Sequence, residues 1–379
     1  MKLIAFLLPQ FHRIPENDSW WGEGFTEWTN TRKSRPLYRG HQQPKEPLDH
    51  YYYDLTDSAA RLWQANLAST YGIYGFCYYH YWFKGKRLLE KPFHQVLQLG
   101  EPHFPFCLSW ANEAWTRKWD GGEGHILQQQ DYGNEHDWER HFHELLEAFE
   151  DERYIRVNNK PLFLIYRPGN IPRCEEMLHF WNTLARRNGL DGIYFARTLG
   201  GFAVPQQRGF DASVEFEPHY TFANHANGSL WNYISTRQME HLVVDYDSIW
   251  QTILKRSPHR DGETIFPGAF VNWDNTPRLG ERGQSCIGAS PERFRHYLSM
   301  QIRRAAAVYQ SEFMFINAWN EWAEGAYLEP DQHHRFRYLE AVRDALTENG
   351  LYPGQVSARS IESPILLSKA NAAVRISAT

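Results

Sequence analysis

The chain is short of cysteine, of unbalanced charge and of long apolar runs. Four cysteines, Cys77, Cys107, Cys174 and Cys286, are scattered through 379 residues without a Cys-x-x-Cys, which excludes a disulfide framework or zinc knuckle and leaves reduced thiols as the expectation. Forty Lys and Arg face forty-five Asp and Glu, a net charge of -5. No basic run interleaves with the aromatics, so nucleic acid is not an expected partner. No stretch approaches the roughly 20 apolar residues that span a bilayer. The start, Met1-Lys-Leu-Ile-Ala-Phe-Leu-Leu-Pro-Gln10, has too short an apolar core for a signal peptide, and a cytoplasmic protein is expected. A Gly-x-Gly-x-x-Gly or phosphate loop after the first apolar run is also lacking, which argues against an open doubly wound sheet. His141-x-His143 and His333-His334 fall in helical stretches and read as surface residues, so no metal is expected, and no cofactor.

Aromatic residues are abundant instead: 15 Trp, 21 Tyr and 23 Phe make 16% of the chain, more than a core of this size requires. The surplus predicts rings lining a site, where flat faces suit the apolar faces of sugars; the plain alternative is aromatic packing inside a barrel.

Short apolar runs at Leu3 to Leu8, Gly72 to Tyr79, Pro105 to Trp110, Pro161 to Tyr166, Gly192 to Arg197, Ala212 to Phe216, Phe266 to Val271 and Phe313 to Ala318 read as strands. Helical spacing lies between them at 55–71, 86–99, 136–149, 174–188, 239–255 and 291–309, and after the last at 333–347. Eight such units predict an α/β fold, a single (β/α)8 TIM barrel over residues 1–348, with 349–379 as a loosely docked C-terminal extension. Two long insertions, at about 12–54 and 111–135, follow strands one and three and so belong on the C-terminal face, where barrels carry their sites.

Just past strand eight, Asn317-Ala-Trp-Asn-Glu-Trp-Ala-Glu-Gly325 sets Glu321 and Glu324 three residues apart. A turn there brings both to one side, the arrangement of paired carboxylates in glycoside chemistry, one protonated and one ionised. Trp322 and Asn320 flank them. Other strand ends offer His80, Tyr81 and Trp82 after strand two; Trp110, Asn112 and Glu113 after strand three; Glu215, with Glu217 and His219, at strand six; and Trp273 and Asp274 after strand seven. Trp28 closes the segment Trp20–Trp28 of the first insertion. Jointly they predict a polar, aromatic-lined pocket. Asp245-Tyr-Asp247, the one candidate for a metal-binding Asp-x-Asp, reads as helix capping.

Leu8-Pro-Gln-Phe-His12, Trp20-Trp-Gly-x-Gly-Phe-Thr-Glu-Trp28, Gly75-Phe-Cys-Tyr-Tyr-His-Tyr-Trp-Phe83, Trp110-Ala-Asn-Glu, Trp273-Asp-Asn-Thr-Pro-Arg278 and the strand-eight segment resemble WbsX-type proteins. These share a domain similar to glycoside hydrolase family 99, the endo-α-mannosidases. The resemblance spans about residues 3–346. It implies a (β/α)8 barrel, an oligo- or polysaccharide substrate and cleavage with retention of configuration. It also implies separate roles, with Glu321 working at the sugar's 2-hydroxyl and Glu324 as general acid/base. WbsX-type proteins are commonly labelled glycosyltransferases of surface-polysaccharide assembly, so transfer is the alternative reading, and a carbohydrate-binding barrel without catalysis is a third. Mannose itself does not follow, because little outside the strand-eight segment aligns with the mannosidases.

Overall fold

Leu3, Ile4, Ala5, Phe6 and Leu7 are all shut off from water, and their strand is an interior one of the sheet. Lys2–Leu7 pairs in parallel with Ile73–Phe83 on one side and with Phe313–Asn317 on the other. A strand buried on both faces reads as a continuous apolar run, and this one does. The structure, a computed structural model, describes residues 1–117, 124–203, 207–224, 230–235, 240–258, 262–354 and 364.

The sheet runs Thr264–Phe266, Ala212–Glu215, Tyr194–Leu199, Lys160–Ile165, Phe106–Trp110, Ile73–Phe83, Lys2–Leu7, Phe313–Asn317, Gly268–Phe270. Its two outer segments are neighbours in sequence, separated only by Pro267, so the sheet closes on itself. The uninterrupted strand expected at 266–271 is therefore two pieces, one pairing with Ala212–Glu215 and the other with Phe313–Asn317. Proline lacks the N–H that would continue the ladder, and its carbonyl accepts instead from Phe315, at 3.1 Å. Gly268 is needed beside it, since a Cβ there would stand 1.9 Å from the Glu215 carbonyl oxygen.

Helices cover the wall outside. In Cys174–Arg187, residues Cys174, Met177, Leu178, Trp181, Leu184 and Ala185 are buried, the spacing of one helical face. Two expected helices begin late for a physical reason. Lys86–Leu88 folds back on the second strand, delaying the next helix to Lys91–Leu99. At 239–255 the first part, Glu240–Asp245, is a strand paired with Trp231–Ser235 and Gln284–Ile287, as its β-branched run His241-Leu-Val-Val allows. The helix then starts at Tyr246, capped by Asp245, whose side chain accepts from the Ser248 N–H at 2.8 Å.

Both insertions stand over the carboxyl ends of the strands. The first supplies helices Pro15–Trp21 and Glu27–Lys33, the second of which packs on the turn Trp322–Glu324. The other supplies a short hairpin, Trp115–Thr116 with Ile126–Gln128. The last helix ends at Glu348, and Tyr352 ties the chain beyond it to the barrel through its hydroxyl, which donates to the Thr70 carbonyl at 2.7 Å. Residues 355–363 and 365–379 of the expected extension lie outside the described residues. Among the described residues no helix is long and apolar enough to cross a membrane.

Candidate active site

Beyond Phe313–Asn317 the chain forms a small antiparallel pair, Asn320–Glu321 with Ala326–Tyr327, closed by the turn Trp322–Glu324 and Gly325. Gly325 has φ of 62°, and a Cβ on it would meet the Asp274 Cβ at 2.9 Å. No other residue fits there without strain. Asn320 pins the segment to the end of the first strand: its Oδ1 accepts from the Leu8 N–H at 2.8 Å, and its Nδ2 donates to the Leu8 carbonyl at 3.0 Å. Trp319 and Trp322 are fully buried and donate their indole N–H groups to Glu329. Trp322 also stacks on Tyr327 at 3.9 Å. These tryptophans orient the turn from beneath.

The turn presents Glu321 and Glu324 to a single guanidinium. Arg278 donates to Glu321 at 3.0 Å, to Glu324, and to Glu27 at 2.5 and 3.0 Å. Three carboxyls thus surround one cation in a site where the Glu321 and Glu324 side chains are only 7% and 18% exposed. Burial pushes the Glu321 carboxyl well above its ordinary range, the charge on Glu324 pushes the same way, and Arg278 opposes both. Glu324 is raised by burial against the pull of Arg278. Desolvation prevails over the one cation because the negative charges of the neighbouring carboxyls offset part of its pull.

Glu321 and Glu324 line a cavity of about 70 Å³ with Tyr79, Tyr81, Glu113, Trp115, Tyr166 and His219. Burial also raises Glu113, although the Arg167 guanidinium lies 2.5 Å away in a close ion pair. The His219 imidazole is pushed down to about 4, chiefly by burial, so it faces the cavity uncharged. A larger cavity of about 250 Å³ opens on the far side of Tyr81, Trp115 and Arg278, which line both, and neither Glu321 nor Glu324 lines it.

Of the other expected site residues, Tyr81 and Glu113 share the glutamate cavity, and six form its buried support. Asn112 brackets Arg167, donating to its carbonyl at 2.8 Å and accepting from its N–H at 2.7 Å. Trp28 donates to the Tyr53 carbonyl and packs on Trp322. Trp273 lies against His219 at 4.4 Å. Asp274 donates its backbone N–H to the Glu324 carbonyl at 2.6 Å, while its carboxylate accepts from Gln43 at 2.6 Å and His41 at 2.8 Å. The Leu37 N–H donates to His41 Nδ1, so the His41 proton is on Nε2, facing Asp274. Asn320 and Trp322 complete the support.

Four expected residues point the other way and are corrected. Strand side chains alternate, so when Tyr79 and Tyr81 face the cavity, His80 and Trp82 face the outer helices. His80 hydrogen-bonds His141 at 2.9 Å, and Trp82 stacks on the same ring at 4.8 Å. His141, expected at the surface, is therefore buried on the inner stripe of its helix with Trp138, Phe142 and Leu145, whereas His143 is exposed. Trp110 donates to the Trp82 carbonyl and packs against His141 and Trp181. Glu215 is ion-paired with Arg256 at 2.7 Å and accepts from Tyr309. Glu27 and Arg278 were missed as site residues although both lie in the quoted segments, since a single charge in a loop has no period to mark it. Tyr79 was legible as the alternate of Tyr81.

A closed eight-stave barrel with carboxyls clustered past its last strand has the fold of the glycoside-hydrolase barrels. The GH99 endo-alpha-mannosidase from Bacteroides thetaiotaomicron matches with a TM-score of 0.55 at 11% identity, over 92% of this chain and 96% of that one. A solved structure described as a glycoside hydrolase-like protein gives 0.59 at 12%, over 91% and 93%. At these identities the likeness is one of fold. The chain belongs to the WbsX family, whose model, described as Glycosyltransferase WbsX, matches residues 3–342. Curated relatives from two strains of Xanthomonas campestris pv. campestris, each described as uncharacterized protein WxcX, are 42% identical over 355 residues, 91% of this chain and 49% of theirs. The chain spans about half the length of the curated relatives it matches.

Proposed function

We propose that the chain is a retaining, endo-acting glycoside hydrolase that cleaves a bond within an oligo- or polysaccharide, with Glu321 and Glu324 as its working carboxyls. The observation that carries this reading is the pair itself: two buried carboxyls, both raised, on one guanidinium in an aromatic cavity. Two such groups share protons unequally at neutral pH, one acting as acid while the other accepts. In the route the family resemblance implies, Glu321 takes the proton of the 2-hydroxyl, and that oxygen displaces the leaving group as Glu324 protonates it. Water activated by Glu324 then opens the 1,2-anhydro sugar, and Glu321 returns its proton to O2. Two inversions give retention. A direct carboxylate nucleophile gives the same stereochemistry, but only the 2-hydroxyl route is blocked by a 2-O-methyl substrate.

Glu321→Gln and Glu324→Gln should each lower turnover by about 10²–10⁴ while glycan binding stays within a few fold. Unchanged turnover in either overturns the assignment. A glycosyltransferase of surface polysaccharide is the second reading, favoured by the family's description. Incubation with nucleotide sugars decides it: sugar-nucleotide-dependent transfer without glycan cleavage reverses the order. Binding with neither reaction leaves a carbohydrate-binding barrel.

A further inference from the structure

The larger cavity differs from its neighbour in charge. Its charged lining is Glu27, Lys33, Arg117 and Arg278, and the Glu27 carboxylate is already held by Arg278. Lys33, in the last turn of Glu27–Lys33, is exposed at the cavity and has no acidic partner among the described residues. Arg117 belongs to the wall, donating to the Trp20 carbonyl at 3.0 Å with its guanidinium 5.2 Å from the centre of the Trp21 ring. Exposed Arg35 and Arg39 follow Lys33 in Arg32-Lys-Ser-Arg-Pro-Leu-Tyr-Arg39. The rest of the lining is largely aromatic: Trp20 meets Trp115 edge to face at 5.7 Å, and Trp21 lies against Phe25.

Indole faces beside cations suit a sugar that carries an anion, its ring resting on the aromatic wall and its charge on the ammonium. Because Tyr81, Trp115 and Arg278 separate this cavity from the one holding Glu321 and Glu324, a residue bound here adjoins the one whose bond is cleaved. We propose that the larger cavity is a subsite for an acidic sugar, a uronic acid or a phosphate-bearing residue, and that Lys33 selects it. The term subsite rests on the hydrolase reading; the binding does not.

Tryptophan fluorescence of the full chain, titrated at low salt with glucuronic acid, glucose 6-phosphate and glucose, tests this. At least one acid should bind about tenfold or more tightly than glucose, in keeping with a charged hydrogen bond; the tighter of the two acids names the substituent. Lys33→Gln should remove most of that preference and Lys33→Arg should keep it. Acids that bind no better than glucose, no binding by any of the three, or a preference untouched in Lys33→Gln overturns the proposal. Cleavage of neutral glycans without acid preference defeats this inference alone, and acid preference without cleavage of any glycan defeats the hydrolase reading alone.

Discussion

Arg278 concentrates the electrostatics of the site in one side chain. Taking it away leaves Glu27, Glu321 and Glu324 buried without their shared cation, the situation in which breaking a buried ion pair costs about 3–5 kcal/mol. Arg278→Met should therefore lower the denaturation midpoint. Because the guanidinium opposes the rise of the Glu321 and Glu324 carboxyls, under the proposed function the acid limb of the activity profile should also move to higher pH in this variant. A limb that stays in place would separate Arg278 from the pair. Glu329 is the second such residue, accepting from Trp322, Trp319, Gln64 and Tyr53 at 2.6–3.0 Å. Burial still pushes it up to about 7, above the roughly 4.3 of an unfolded Glu. The folded state thus holds this proton more tightly, and the stability it contributes is fully present below about pH 4 and lost as pH rises toward about 7. Glu329→Gln should remove that slope in chemical denaturation measured across this range. It should also destabilise at neutral pH by about 2–5 kcal/mol, because its NH₂ turns a donor toward two existing donors.

The element that matters most is the hairpin from Asn320 to Tyr327. Its strands are two residues each, too short to hold a shape alone, so its geometry comes from Asn320 on Leu8, the indoles on Glu329, and Gly325 over Asp274. Gly325→Ala forces an alanine into the left-handed region, about 1–2 kcal/mol, and drives its Cβ against Asp274. Turnover should fall by more than the loss of folded protein explains, read by comparing activity with the thermal midpoint. A variant whose activity tracks stability alone would show that the turn has no positioning role. The second strand teaches the same dependence: Tyr79 and Tyr81 reach the cavity and His80 does not, although all three looked alike as polar or aromatic residues at one strand end.

At the scale of the molecule, closure decides where chemistry collects. Eight staves meet because Pro267 and Gly268 let one stave pair with different neighbours along its length, and the two insertions then converge over a single rim. Nearly all of the barrel was legible, since a strand buried on both faces and a helix buried on one leave different periods in the chain, as in Leu3 to Leu7 against Cys174 to Ala185. Glu321 and Glu324 were legible by their place after the last strand. The sequence by itself determined the alternation, the number of units and the segment carrying the paired acids, because local period and chain order specify those. Only the tertiary structure decided that Arg278 and Glu27, some 250 positions apart in the chain, join the pair, that His80, Trp82, Trp110 and Glu215 turn outward, and that Lys33 stands at a second cavity. Facing and long-range charge pairing depend on which strands close on which, and no local pattern encodes that.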